Sequence, residues 1–213
     1  MLEENKIGFN LMYALRCAIQ SDNLPQIVKI FAEHEYLTPD SYFHGGSSAL
    51  HYACSIGAID CVNYFLKVCK CNPNSTSSQY GMAPAHMAAI HGKLDIISLL
   101  HEFKADLRQV DNEGENILHK AVLCGDINFI QMLTKVYRLE SLLTLPDKNS
   151  NVPVQFLQEL VNKGLHPKQL SKDTPDNTLP ELLSYLRAKT EEYPTKSKRY
   201  FYQLRLLLKN SII

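Results

Sequence analysis

Ala49-Leu50-His51-Tyr52-Ala53-Cys54-Ser55-Ile56-Gly57 is echoed by Ala85-His86-Met87-Ala88-Ala89-Ile90-His91-Gly92 and again by Leu118-His119-Lys120-Ala121-Val122-Leu123-Cys124-Gly125. The histidines stand 35 and 33 residues apart, and Gly57, Gly92 and Gly125 keep the same intervals. Self-similarity at such a period means one supersecondary unit stacked on itself. Each echo follows a run of turn formers, of which Asp111-Asn112-Glu113-Gly114 is the clearest, with Gly supplying the positive φ that other residues resist. A short helix comes next, carrying Ala53, Ala88, Ala89 and Ala121 where two helices must approach closely. The second helix shows apolar residues at helical spacing: Ile59, Val62, Phe65 and Leu66; Leu94, Ile97, Leu99 and Leu100; Ile127, Phe129, Ile130 and Leu133. Neither helix can bury its apolar face alone, so stacked neighbours must supply the core. The expected fold is all-α.

The pattern resembles the ankyrin repeat, in which a turn ending in Gly leads into Thr-Pro-Leu-His-x-Ala and a further Gly joins two helices. Gly46-Ser47-Ser48-Ala49-Leu50-His51, Gly81-Met82-Ala83-Pro84-Ala85-His86 and Gly114-Glu115-Asn116-Ile117-Leu118-His119 match it in turn. Two degenerate copies flank them. Ala14-Leu15-Arg16-Cys17-Ala18 puts Arg16 in the place of the histidine, and Asp147-Lys148-Asn149-Ser150-Asn151-Val152-Pro153-Val154-Gln155 puts Gln155 there. The resemblance implies a solenoid of about five units, centred on 10–40, 44–76, 79–110, 112–144 and 147–164, within a domain spanning 1–164. It also implies a structural role for Gly46, His51, Gly57, Gly81, His86, Gly92, Gly114, His119 and Gly125.

Composition bounds the function. The 213 residues are 45% hydrophobic, and 22 basic side chains balance 22 acidic ones, which argues against a general affinity for nucleic acid or an anionic membrane. No apolar run approaches the ~20 residues that span a bilayer, and Met1-Leu2-Glu3-Glu4-Asn5-Lys6 lacks the basic-then-apolar order of a signal peptide. We expect an intracellular protein, cytoplasmic or nuclear. Cys17, Cys54, Cys61 and Cys124 fall at helix positions where a small apolar side chain packs well, and Cys69-Lys70-Cys71 has no second pair to complete a zinc site.

The histidines do not read as catalytic. His51, His86 and His119 are explained by their common phase, and His86 and His91 are five apart where a helical two-histidine metal motif needs four. No nucleophile turn or phosphate-cradling Gly-rich loop is present in the sequence. The expectation is a non-enzymatic chain with no cofactor, no metal and no small-molecule substrate.

Function then lies in a surface. In the family that these motifs resemble, turn tips and the exposed side of the first helices line a concave groove that binds another protein. By phase with the histidine, the groove residues would be His44, Ser47 and Ile56; Gln79, Tyr80, Met82, Ile90 and His91; Asn112, Glu113, Glu115 and Leu123; and Lys148 and Asn149. Tyr80 and Met82 on a turn, with Ile56, Ile90 and Leu123 nearby in phase, supply the aromatic and apolar anchors that protein interfaces use. Asn74 lies where many ankyrin units carry a hydroxylatable Asn.

Beyond the repeats, 165–178 is rich in breakers and reads as a linker. A helical extension over 179–213 follows. Leu179-Pro180-Glu181-Leu182-Leu183-Ser184-Tyr185-Leu186 starts as a helix should, with Pro and Glu in its first turn. It also resembles the cullin-facing end of a SOCS box, without the elongin-binding pattern that precedes it there. Lys196 to Asn210 spaces Phe201, Leu204, Leu207 and Leu208 on one side among basic residues, a pattern suited to capping the array or to a second partner. The sequence therefore supports an adaptor, inhibitor or scaffold. The alternative is a substrate-recognition adaptor of a ubiquitin ligase.

Overall fold

The computed structural model describes residues 2–34, 36–39, 46–162 and 178–192. His44, most of the 165–178 linker and the basic 196–213 segment lie outside the described residues. Among those described the architecture is all-α. The helices are α1 (Leu2–Gln20), α2 (Leu24–Glu33), α3 (Ala49–Ile56), α4 (Ile59–Lys67), α5 (Pro84–Ile90), α6 (Leu94–Glu102), α7 (Ile117–Ala121), α8 (Ile127–Lys135), α9 (Pro153–Asn162) and α10 (Thr178–Glu192). A 3₁₀ turn covers Glu140–Thr144, and a single β-bridge joins Val110 to Asn116.

The helices form two layers. Odd-numbered helices α1 to α9 stack successively into an inner layer, and α2, α4 and α6 pack side by side outside it. Small residues decide the inner spacing: Ala49, Ala53, Ala85, Ala88, Ala89 and Ala121 are all buried, and only side chains of that size let neighbouring backbones come close. Between the layers lie Leu15, Ile19 and Ile27; Leu50, Val62 and Phe65; Ile96, Ile97 and Leu100; and Leu118, Ile130 and Leu133, each under 2% exposed.

α10 is more than an appendage. It packs on α9, on α8 and on the 3₁₀ turn, the same pair of relations that α4 and α6 have to their own first helix and to the preceding second helix. Leu182 and Leu186 are fully buried there, and the Tyr185 and Thr134 hydroxyls lie 3.1 Å apart. α10 thus stands to α8 and α9 as α4 and α6 stand to the helices of their own and the preceding unit. Physically, the apolar flanks of α8 and α9 need a cover, and the sequence supplies one only after the intervening breakers.

Candidate functional site

The inner helices α3, α5, α7 and α9 are each entered through a finger-like turn, and in the three central units a histidine ties finger to helix. Nδ1 of His51, His86 and His119 accepts the backbone N–H three residues back, from Ser48, Ala83 and Asn116 at 3.3, 3.0 and 3.2 Å. Nε2 of the same rings donates to a carbonyl of the following unit: Met82 at 2.9 Å, Gln109 at 3.1 Å and Asn151 at 2.9 Å. Because a carbonyl can only accept, the geometry fixes the neutral Nε2–H tautomer. Burial holds His86 down at about 4 and also lowers His119, so both rings stay uncharged at neutral pH.

The finger tips bond to one another in a row. Ser78 N–H donates to Gly46 O at 3.1 Å, Asn112 N–H to Tyr80 O at 3.0 Å and Lys148 N–H to Glu113 O at 2.8 Å. This row brings together Gln79, Tyr80, Asn112, Glu113, Lys148 and Asn149, all exposed. The turn glycines make the approach possible. Gly114 has φ +78°, and a Cβ there would lie 3.2 Å from the Lys148 nitrogen; at Gly81, φ +66°, it would fall 2.2 Å from Asn112 Oδ1. Gly46, Gly57, Gly92 and Gly125 likewise hold positive φ. In the fifth unit Ser150, φ +66°, stands in the turn position that Gly occupies elsewhere.

The C-terminal ends of the inner helices lie one helix length on from the fingers. Ile56 and Ile90 close α3 and α5, and Leu123 follows α7; all three are half-buried, as are Ser47 and Met82, while His91 is exposed. Ile56 also packs against the core. Tyr80 is 49% exposed, an aromatic ring presented on a turn.

Glu115 leaves the candidate set. It is 9% exposed, and its carboxylate pairs with Lys120, whose Nζ also lies 2.6 Å from Asp111 Oδ2. Lys120, 5% exposed, projects from α7 under the finger, so Glu115 holds the tip from within instead of meeting a partner. Asn74 is likewise engaged: its Oδ1 accepts from the Asp106 N–H at 2.7 Å and so braces the next loop.

Other contributors give little sign of themselves in the sequence. Arg16 lies 5.2 Å from the centre of the Tyr52 ring and donates to its hydroxyl at 3.3 Å. Asp22, in the left-handed region at φ +47°, caps α4 by accepting from Asp60 N–H at 3.1 Å and Cys61 N–H at 2.9 Å. Lys70, Lys104 and Arg138, spaced 34 residues apart, end the outer helices at φ +57°, +64° and +54°. Their period could have revealed them, though left-handed helix ends usually call for Gly or Asn.

Among the described residues no group of three His, Cys, Asp or Glu side chains is arranged to hold a metal ion, and no helix is long and apolar enough to cross a membrane. The described cysteines form no disulfide, and burial pushes Cys124 up to about 12 and Cys54 higher still, which leaves these two poor nucleophiles.

Fingers bonded in a row, inner helices tied through histidine and an outer helical layer define a class of helical repeat protein. The chain belongs to the ankyrin repeat family: the model of ankyrin repeats in three copies matches residues 2–77 and 56–139. Among curated proteins it is similar to the human transient receptor potential cation channel subfamily A member 1, with 26% identity over 136 residues, 60% of this chain. That stretch spans only 12% of the channel protein's length. Ankyrin repeats generally mediate protein–protein interaction.

Proposed function

We propose that this chain is a non-enzymatic recognition scaffold that binds one protein partner through the finger tips and the inner-helix ends, working inside the cell as an adaptor, inhibitor or scaffold. The observation that carries the reading is Tyr80, 49% exposed on the finger of the third unit. Polar Gln79 precedes it, Asn112 of the next finger donates to its carbonyl, and half-buried Met82 lies two residues on in the same turn, with half-buried Ile90 at the end of the helix that follows. An exposed aromatic with polar neighbours is the kind of side chain on which interfaces concentrate their affinity. Buried Cys54, Cys61 and Cys124, not joined in disulfides, fit a reducing compartment.

The ubiquitin-ligase alternative gains nothing from α10. Leu182 and Leu186, the apolar residues that recruitment would use, are buried against the array. Truncation before α10 would uncover α8 and α9, so the test keeps the full chain. Capture of partners from cell extract by the wild type should be lost on combined Tyr80→Ser, Met82→Ser and Ile90→Ser substitution while the circular dichroism spectrum stays unchanged. A weakening of more than tenfold requires only about 1.4 kcal/mol. Undiminished capture of the same partner by the folded triple variant would overturn the assignment.

A further inference from the structure

The fourth and fifth units treat the same aspartate differently. In the fourth, Asp111 Oδ1 accepts the N–H groups of Glu113 and Glu115, both at 2.9 Å, and Oδ2 meets the Lys120 ammonium. In the fifth, Asp147 Oδ1 accepts the N–H groups of Asn149 and Asn151, both at 2.8 Å, so the turn is built the same way. Yet Asp147 Oδ2 is buried with no hydrogen-bond partner, and the whole residue is 7% exposed. The difference lies nine residues on: Lys120 follows Asp111 at that distance, whereas Phe156 follows Asp147. The Phe156 ring sits edge-on to His119 at 5.7 Å and offers no charge.

The surroundings deepen the deficit. Asp147 acts electrostatically on both Glu115 and His119, which places it within reach of the Asp111–Glu115–Lys120 group. Asp111 and Glu115 share the one ammonium of Lys120, Asp147 is left without one, and His119 is neutral by its hydrogen bonding. An unpaired buried carboxylate oxygen is costly, and a cation that also donates hydrogen bonds offsets that cost best. The neighbouring unit shows which cation the geometry accepts, a primary ammonium on a flexible stem. The Lys148–Ser150 tip beside Asp147 is itself exposed, and among the described residues it bonds to the preceding finger, through Lys148 N–H, and to no following one.

We propose that Asp147 is a lysine-accepting subsite, in which an ammonium group from the protein partner takes at Asp147 the place that Lys120 takes at Asp111. This rests on the protein-binding reading and adds a chemical requirement, a lysine at the edge of the partner's contact surface. The Lys148–Ser150 tip shifts to admit the stem, and the partner's charge completes the pairing that the repeat lacks at Phe156.

The test titrates the full chain with Nα-acetyl-lysine-N-methylamide at constant ionic strength and follows the backbone amide shifts of Asn149 and Asn151. The expected result is a saturable shift, at least tenfold weaker with tetramethylammonium, which carries charge but no N–H. It should vanish in Asp147→Asn, which keeps the Oδ1 turn bonds. It should vanish also in Phe156→Lys, which supplies an internal ammonium in the Lys120 register. Four outcomes would overturn the proposal: no shift at all, an equal response to tetramethylammonium, an undiminished response in Asp147→Asn, or a response to propylammonium but not to the blocked lysine, which would make the ligand a free amine. No partner enters this titration. Its failure therefore leaves the capture experiment standing, and failure of the capture experiment leaves the subsite standing without its source.

Discussion

The three central units and the two terminal ones solve the same stacking problem with different chemistry. In the centre one imidazole does two jobs, accepting an N–H from its own finger and donating to the next. At the ends each job is done separately. Gln155 keeps the inward half, with Oε1 accepting from Val152 N–H at 3.2 Å, while Arg16 keeps only an outward contact, to Tyr52. Asp22 ties the first unit to α4, and α10 closes the last. A neutral imidazole has one donor and one acceptor rigidly opposed, so it can bridge two units. A residue with a single neighbour needs only one of the two.

The largest effects should come from the core. Leu100→Ala, in a side chain with no exposure, is expected to cost about 2 to 5 kcal/mol in urea unfolding. The same change at Leu186 should appear first as faster hydrogen exchange in α9 and α10, with α3 to α6 still protected, because a terminal unit has one neighbour to lose. Uniform loss of protection would mean that centre and end are not distinct.

Acid should also separate them. His86 is held near 4 in the fold against 6.5 when unfolded. Its contribution is fully present above pH 6.5 and is lost as pH falls towards 4, by about 3 kcal/mol over that window. His119 works in the same direction. Glu115, raised by burial, works in the opposite one, gaining as it protonates. Guanidinium melts at pH 7 and pH 5 would show the net loss, and His86→Gln should flatten it.

Gly114→Val should destabilise by about 1 kcal/mol or more, since a β-branched residue is forced to φ +78° with its Cβ against the Lys148 nitrogen. A thermal melt unchanged from wild type would count against the finger row. The smallest effect is a gain: Lys104→Gly should raise stability by a few tenths of a kcal/mol up to about 1, by relieving a left-handed backbone at φ +64°. Equal or lower stability would show that the lysine's favourable place at a helix end outweighs the strain.

The repeat is legible in the sequence because His and Gly recur in phase, and the structure puts those residues where the phase implies. The core faces are less so. Ile59 is 44% exposed and Leu94 and Leu99 are half-buried, while Cys61 and Ile96 are fully buried. Apolar spacing marks a stripe about two residues wide, and neighbouring helices decide which edge of it is covered. Lys120 is hidden for another reason: a lysine reads as solvated until its two carboxylates are brought beside it, one of them nine residues back in the chain. α10 reads as separate from the repeats because the breaker-rich stretch 163–177 divides it from α9, and only the packing of Leu182 and Leu186 on the array joins the two.

The central claim is that neutral imidazoles bridge the middle units. It is tested most directly by ¹⁵N NMR of the histidine side chains as a function of pH. The structure requires His51, His86 and His119 to show the Nε2–H tautomer with an unprotonated Nδ1, and His86 to remain neutral down to about pH 4 while the chain stays folded. Titration of His86 near 6.5 in the folded protein, or the Nδ1–H tautomer at any of the three, would contradict it.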